Sequence, residues 1–168
     1  MYYLLHDSRG VREFSRYLKN EFSHENLSFI LACRILETKV TLKEFSLLAK
    51  KIFNDFIVTG SPFEINIVAS IRNKLIAVLE PSIANGSDLL LENYNIYSDA
   101  VAHILTLLEK DSYKRYCRSL ISKLPPGDRA SRRIMLKSDS PALIHTSQTS
   151  SYQNLKSNSN SNLNSSDL

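Results

Sequence analysis

Apolar side chains recur at the three- and four-residue spacing of α-helices between residue 23 and residue 124. That spacing places them on one face of a helix, whereas a strand needs alternating apolar and polar residues. No stretch of six residues alternates convincingly, so the sequence predicts an all-α fold. Capping and breaking residues delimit five predicted helices: one begun near Ser23, one ending at Gly60, one from about Ala69 to Leu79 before Pro81, one capped by Ser98, and one from Asp111-Ser112 to before Pro125.

The same spacing predicts which side chains point inward. The first four helices present the following apolar faces: Leu27, Ile30, Leu31 and Ile35; Phe45, Leu48, Ile52 and Phe56; Ile71, Leu75, Val78 and Leu79; Val101, Ile104, Leu105 and Leu108. In the fifth helix we expect Tyr113 and Tyr116 to be core aromatics. Cys33 and Cys117 are predicted to be small buried residues.

Composition changes sharply near Pro125. Residues 138–168 contain ten serines and five asparagines, and a segment with so little apolar surface cannot offset the entropy of ordering it. We therefore expect a folded domain over residues 1–124 and a disordered Ser/Asn-rich tail over residues 125–168.

Charge and cysteine content exclude several classes of protein. Lys+Arg number 21 and Asp+Glu number 17, a net charge of +4 that is too thinly spread to predict nucleic-acid binding. The apolar runs are far shorter than the ~20 residues of a membrane span, and Met1–Asp7 does not resemble a secretory signal. Two cysteines cannot form a disulfide framework. We expect a reduced, cytoplasmic protein with no stable membrane insertion.

Reactive groups do not form a local catalytic pattern. The four histidines are scattered, no H-E-x-x-H pair occurs, and the four glycines lie too far apart to form a phosphate loop. A nucleophile and its base could still assemble in space. The expectation is nonetheless a chain with no catalytic centre of its own, no metal site and no cofactor.

Three segments, in order along the chain, resemble the signatures of the RGS family, the regulators of G-protein signalling. They are Phe14–Phe29, Ile52–Ile57 followed by Phe63–Ile67, and Leu107–Tyr116. The resemblance covers roughly residues 5–124. It implies a bundle of about nine helices in two subdomains. It also implies that a monomer binds the GTP-bound α subunit of a heterotrimeric G protein, accelerates its GTP hydrolysis and so ends signalling.

The resemblance also implies which residues face the switch regions of that partner: Glu21, Glu25, Asn26, Asn66, Leu107, Asp111, Ser112 and Arg115. Structural interpretations stand beside it. Ser23 could cap a helix whose positive end favours Glu25, and Asn66 could form a turn before the next helix. Arg115 could pair with Asp111 one turn back.

Leu107 can be placed from the helical pattern. It lies about 110° from the centre of the apolar face of its helix. We therefore expect it to be partly exposed, as suits a residue at an interface.

Departures from the family pattern keep other functions open. Val68 stands where the family usually has an acidic residue, Ile30 replaces a usual Trp, and residues 85–95 lie in a longer connection than usual. The alternatives are a scaffold of RGS type that binds a partner without accelerating hydrolysis, and a plain helical domain. Recruitment to the inner face of the plasma membrane through the partner is a further expectation.

Overall fold

The computed structural model describes residues 1–39, 41–87 and 94–125. Within these ranges the chain is helical and contains no strand, which confirms the all-α prediction. Its elements are α1 (Tyr2–His6), α2 (Ser8–Asn20), α3 (His24–Leu36), α4 (Leu42–Ile52), a π-helical turn (Phe53–Ile57), α5 (Ala69–Ala84), α6 (Ser98–Lys110) and α7 (Ser112–Ser122). The described ranges therefore hold fewer helices than the nine that the resemblance implied.

The chain divides into two compact units, Met1–Ser119 and Leu120–Leu168. The first contains α1 to α6 and most of α7. Of the second, the structure describes residues 120–125, where α7 ends at Ser122. The predicted disordered tail and the domain boundary at residues 124 and 125 stay predictions, because residues 126–168 lie outside the described ranges.

Helix α3 is central to the first unit, where it contacts α2, α4 and α6. Because neighbours cover it on several sides, its buried residues spread over a wide arc that includes Phe29, Cys33 and Leu36. The largest fully buried apolar side chains come from α2 to α6, including the π-helical turn and the loop before α5: Phe14, Leu18, Leu27, Phe29, Ile30, Ile52, Ile57, Ile65, Leu79 and Ile104. Burial of this apolar surface is the main driving force for folding of the unit.

Two residues predicted to point inward do not. Ile35 is 54% exposed and Val78 is also exposed. In α3 the three-and-four spacing identified only one edge of the buried arc, because a helix with neighbours on several sides has no single apolar stripe. The predicted burial of Tyr116, Cys33 and Cys117 is confirmed.

Helix α5 passes through Pro81, where we predicted that it would already have ended. Proline removes one backbone N–H, but the last turn is held in other ways. The Ser82 hydroxyl donates to the Ser87 carbonyl oxygen at 2.7 Å, and the Ser87 N–H donates back to Ser82. Gly86 then ends the helix with a left-handed backbone, φ 62°.

The prediction of helix starts also missed two features. Helices α1 and α2 were not among the five predicted, although Asp7 caps α2 by accepting hydrogen bonds from the N–H groups of Arg9 and Gly10. Ser98, predicted as an N-cap, is instead the first residue of α6 and follows Tyr97.

Phe14 is fully buried against three tyrosines, with ring centroids 5.1 Å from Tyr116, 5.9 Å from Tyr113 and 6.4 Å from Tyr17. Phe14→Ala should lower the free energy of unfolding by about 3–5 kcal/mol, because it leaves a cavity among these rings. Chemical denaturation followed by circular dichroism measures the change. Tyr3→Ala, at an exposed position, is the control and should change stability by less than ~0.5 kcal/mol. Equal effects of the two variants would contradict this account of the core.

Candidate functional site

The predicted site residues lie on three segments that meet on one surface of the first unit, called here the site surface. The first segment is the connection from α2 to α3 (residues 21–26), the second is the loop before α5 (residues 58–68), and the third is the end of α6 with the start of α7 (residues 107–115). Arg115 bonds to Glu21, which joins the third segment to the first. The rings of His24 and Phe63 lie 6.1 Å apart, edge to face, which joins the second to the first.

The guanidinium of Arg115 makes a two-pronged contact with the carboxylate of Glu21. Arg115 Nε donates to Oε1 at 3.0 Å, and Nη2 donates to Oε2 at 2.7 Å. The hydroxyl of Tyr17 also donates to Oε1, at 2.6 Å. Parallel N–H···O bonds fix the orientation of both groups. The hydrogen bonds from Arg115 hold the pKa of Glu21 below its usual value, and the bond from Tyr17 lowers it further.

Arg115 also bonds within its own helix. Its Nη1 donates to the carboxylate of Asp111, and Nη2 lies 3.5 Å from the hydroxyl of the buried Ser112. The predicted pair between Asp111 and Arg115 is therefore confirmed. The hydrogen bonds with Glu21 and then Asp111 raise the pKa of Arg115. All three nitrogens of the guanidinium therefore donate hydrogen bonds to carboxylates of this chain.

The alternative interpretation in which the Ser23 side chain caps α3 is wrong. The Ser23 side chain makes no capping hydrogen bond, and within the described residues its buried Oγ has no hydrogen-bond partner. Asn26 Nδ2 donates to Glu25 Oε1 at 2.8 Å and to the Ser23 carbonyl at 3.4 Å. The buried Asn26 Oδ1 accepts no hydrogen bond from the described part of the chain. Glu25 and Asn26 are therefore oriented by each other and by the turn.

Phe22 is a site residue that the sequence prediction missed. It is 92% exposed and has a left-handed backbone, φ 53°. Phe22 closes α2. Its backbone N–H donates to the Lys19 carbonyl oxygen, and the Ser23 N–H donates to the Leu18 carbonyl oxygen. Helix ends with this pair of hydrogen bonds usually have glycine at the position of Phe22. A bulky residue here costs about 1–2 kcal/mol relative to a position with ordinary backbone angles. The sequence between α2 and α3 has no glycine to adopt the left-handed backbone, and this absence could have identified Phe22 as an unusual position.

Asn66 points away from the core while its neighbours anchor it. Ile65 and Ile67 are buried, and Asn66 between them is exposed. Within the described residues its amide makes no hydrogen bond, so the interpretation of Asn66 as a turn former bonded to its own backbone is wrong.

Arg72 holds the loop that carries Asn66. Its Nη1 donates to the Ile57 carbonyl, and Nη2 donates to the Ile65 carbonyl at 3.0 Å and forms an ion pair with Glu64 at 3.0 Å. The Glu64 carboxylate in turn accepts the Gly60 N–H at 2.7 Å. These bonds satisfy backbone groups that the irregular loop would otherwise leave unpaired. The sequence prediction also missed this role of Arg72, since its partners are set by the tertiary structure.

Two apolar residues complete the site surface. Leu107 is 40% exposed, which confirms the partial exposure predicted from the helical wheel. Val68 is 48% exposed and contributes no hydrogen bond from its side chain. Ile30, the other departure from the family pattern, is buried in the core. Of the longer connection over residues 85–95, residues 88–93 lie outside the described ranges.

Groups that could hold a metal are not found near the site or elsewhere in the described ranges, where three or more His, Cys, Asp or Glu side chains never converge. None of the helices in those ranges is both long enough and apolar enough to cross a membrane. The site surface of this helical domain thus combines exposed amide, carboxylate and apolar side chains, the kinds of group that occur together at protein interfaces.

Comparison with known proteins assigns the family. Residues 1–123 match the model of the Regulator of G protein signaling domain. Regulator of G-protein signaling 1 of Xenopus tropicalis is 34% identical over 119 residues, which is 70% of this chain and 54% of that protein. Regulator of G-protein signaling 8 of Homo sapiens is 36% identical over 118 residues, 69% of this chain and 59% of that protein. The chain belongs to the RGS family, and it spans about half the length of the curated relatives it matches.

Acidification should weaken the contribution of Glu21 to stability. Its folded-state pKa lies below the ordinary value of 4.5, so its contribution is present above pH 4.5 and is lost as the pH falls through the folded-state value. The difference in free energy of unfolding between the native chain and Glu21→Gln should therefore shrink below pH 4.5. Urea denaturation at pH 7, 5, 4 and 3 measures it. The control is Asn73→Ala, at an exposed position on α5, which removes no titratable group; its difference in free energy of unfolding should not vary with pH.

Proposed function

We propose that this chain is a GTPase-activating protein for the α subunits of heterotrimeric G proteins. In this proposal it binds the GTP-bound α subunit as a monomer and has no catalytic centre of its own. The observation that carries the proposal is Asn66, an exposed amide with no hydrogen bond to the described residues, on a loop braced by Arg72 and by two buried isoleucines. Family membership supports it, since the names of its relatives describe regulators of G-protein signaling.

The proposed mechanism is stabilisation of the transition state by binding. A G-protein α subunit already supplies an arginine that stabilises the developing charge and a glutamine that orients the attacking water. A helper accelerates the reaction if it binds the switch loops more tightly in their transition-state geometry than in the ground state. The amide of Asn66 can both donate and accept, so it can brace the glutamine without adding a charge.

Arg115 is proposed as an anchor rather than a catalytic finger. An arginine finger must present free N–H groups to the phosphates, but those of Arg115 bond to Glu21 and Asp111. If Arg115 moved to contact the phosphates, the carboxylates of Glu21 and Asp111 would lose their bonds to its guanidinium. In place, the ion pairs hold α7 against the end of α2, which keeps Asp111 and Ser112 beside the partner.

Apolar contact supplies the remaining binding energy in this proposal. Phe22 and Leu107 expose large apolar surfaces on the first and third segments. An exposed aromatic ring surrounded by polar groups is typical of the side chains that dominate protein interfaces. Binding at the cytoplasmic face of the plasma membrane follows from where receptor-coupled α subunits act.

A scaffold that binds without accelerating hydrolysis is the second candidate. Val68 favours it, because an exposed valine cannot make the polar contact of the acidic residue that the family usually has there. The braced Asn66 favours acceleration. Single-turnover hydrolysis of GTP by a preloaded α subunit distinguishes the two, because a scaffold changes binding but leaves the rate unchanged.

Asn66→Ala should reduce the acceleration by about tenfold or more, equivalent to ~1.4 kcal/mol of lost differential stabilisation. Binding to an α subunit with a planar-phosphate mimic of the transition state should weaken more than binding to the form with a GTP analogue. Asn73→Ala, also at an exposed position but on α5, is the control and should retain the native acceleration. Full acceleration by a folded Asn66→Ala variant would refute the proposed role of the amide.

Arg115→Ala should weaken binding to the ground-state and transition-state forms alike, as the loss of an anchor does. Its melting curve must be measured first, since the change also frees Glu21 and Asp111. Glu21→Gln is the companion variant, because it perturbs the same contact from the other side. If acceleration vanished in a folded Arg115→Ala variant that still bound normally, Arg115 would be a finger and the mechanism would be wrong.

A further inference from the structure

Helix α2 carries four exposed basic residues on one face, called here the cationic stripe: Arg9, Arg12, Arg16 and Lys19. They follow one another at spacings of three, four and three residues, so they are neighbours along the helix. At about 100° per residue they occupy an arc of about 80° and extend over about 15 Å. The middle of the arc lies about 160° from the face that buries Phe14 and Leu18, so the stripe faces away from the core.

Most of this charge is not neutralised within the protein. Arg9 pairs with Glu13, with Arg9 Nε 3.1 Å from Glu13 Oε1, and Asp7 is engaged in capping the helix. The side chains of Arg12, Arg16 and Lys19 form no hydrogen bond or ion pair with the part of the chain that the structure describes. Three adjacent cations are therefore available to an external anion.

The stripe does not overlap the site surface. Tyr17, whose hydroxyl bonds to Glu21, lies about 120° around α2 from the middle of the stripe. The middle of the cationic stripe and the hydrogen bond to Glu21 therefore lie on different sides of α2.

We propose that the cationic stripe docks the domain onto an anionic phospholipid surface. Charge complementarity supports this ligand: the guanidinium groups of Arg12 and Arg16 are donors that match phosphate oxygens. The stripe runs along one exposed face of a single helix, so its cations can meet several phosphates spread over an extended surface. The tail of the chain itself is not complementary, because residues 125–168 carry five basic and three acidic residues. The proposal stands independently of the function proposed above.

The test uses the full chain and sedimentation with vesicles of phosphatidylcholine that contain about one third phosphatidylserine. The native chain should bind them, release as salt rises from ~0.05 to 0.5 M, and ignore vesicles of phosphatidylcholine alone. Arg12→Glu/Arg16→Glu should lower the partition coefficient by about tenfold or more, since each basic residue near an anionic surface contributes a several-fold attraction. The matched control is Lys43→Glu/Arg118→Glu, at exposed positions on α4 and α7. It makes the same change in net charge and should retain most of the binding.

Three outcomes would overturn the proposal. The native chain could fail to bind anionic vesicles, or both double variants could lose binding equally, which would indicate a response to net charge alone. A polyglutamate peptide could bind in a stripe-dependent way while vesicles do not, which would favour an acidic protein segment as the ligand. Circular dichroism confirms folding of each variant. If the glutamate pair does not fold, Arg12→Gln/Arg16→Gln gives the same test with a smaller expected loss.

Discussion

The pairing of Glu21 with Arg115 joins residues 94 positions apart, and the site surface depends on it. It holds the start of α7 against the end of α2, next to Phe22 and the first turn of α3. Partly exposed ion pairs contribute little stability by themselves. The packing of Phe14 against Tyr113 and Tyr116 lies close by and brings the same two helices together. Apolar packing therefore stabilises the arrangement, and the two-pronged pair orients it.

The features of this structure that could be predicted are those that depend on local sequence patterns. Spacing of apolar residues gave the all-α fold and the partial exposure of Leu107, and the i,i+4 spacing gave the pair of Asp111 and Arg115. The contact of Arg115 with Glu21 could not be found in this way, since no local rule links residues so far apart. The prediction that Ile35 is buried was wrong for a related reason. Which edge of α3 is covered depends on α2, α4 and α6, whose positions are set by the whole fold.

Phe22 is unfavourable for the stability of the folded chain, but it suits a surface that binds a partner. Glycine would close α2 without strain, and a polar residue would avoid exposing a phenyl ring to water. The chain instead has a left-handed, almost fully exposed phenylalanine between Glu21 and Ser23. Natural proteins carry such costs where binding requires them. Because Phe22 lies on the turn between Glu21 and the first residues of α3, its exposed ring is part of the site surface.

Arg115 and Asn66, the two polar residues most important to the proposed function, differ in how many of their hydrogen-bonding groups are already used within the chain. Arg115 bonds to two carboxylates of its own chain, so its geometry is fixed but its donors are used. Asn66 is fixed through its backbone instead: Ile65 and Ile67 are buried on either side, and Arg72 holds the Ile65 carbonyl. Its amide therefore keeps both a donor and an acceptor for a partner. A group held in place before binding loses less conformational entropy on association. That difference is the reason to assign orientation to Arg115 and contact with the reacting partner to Asn66.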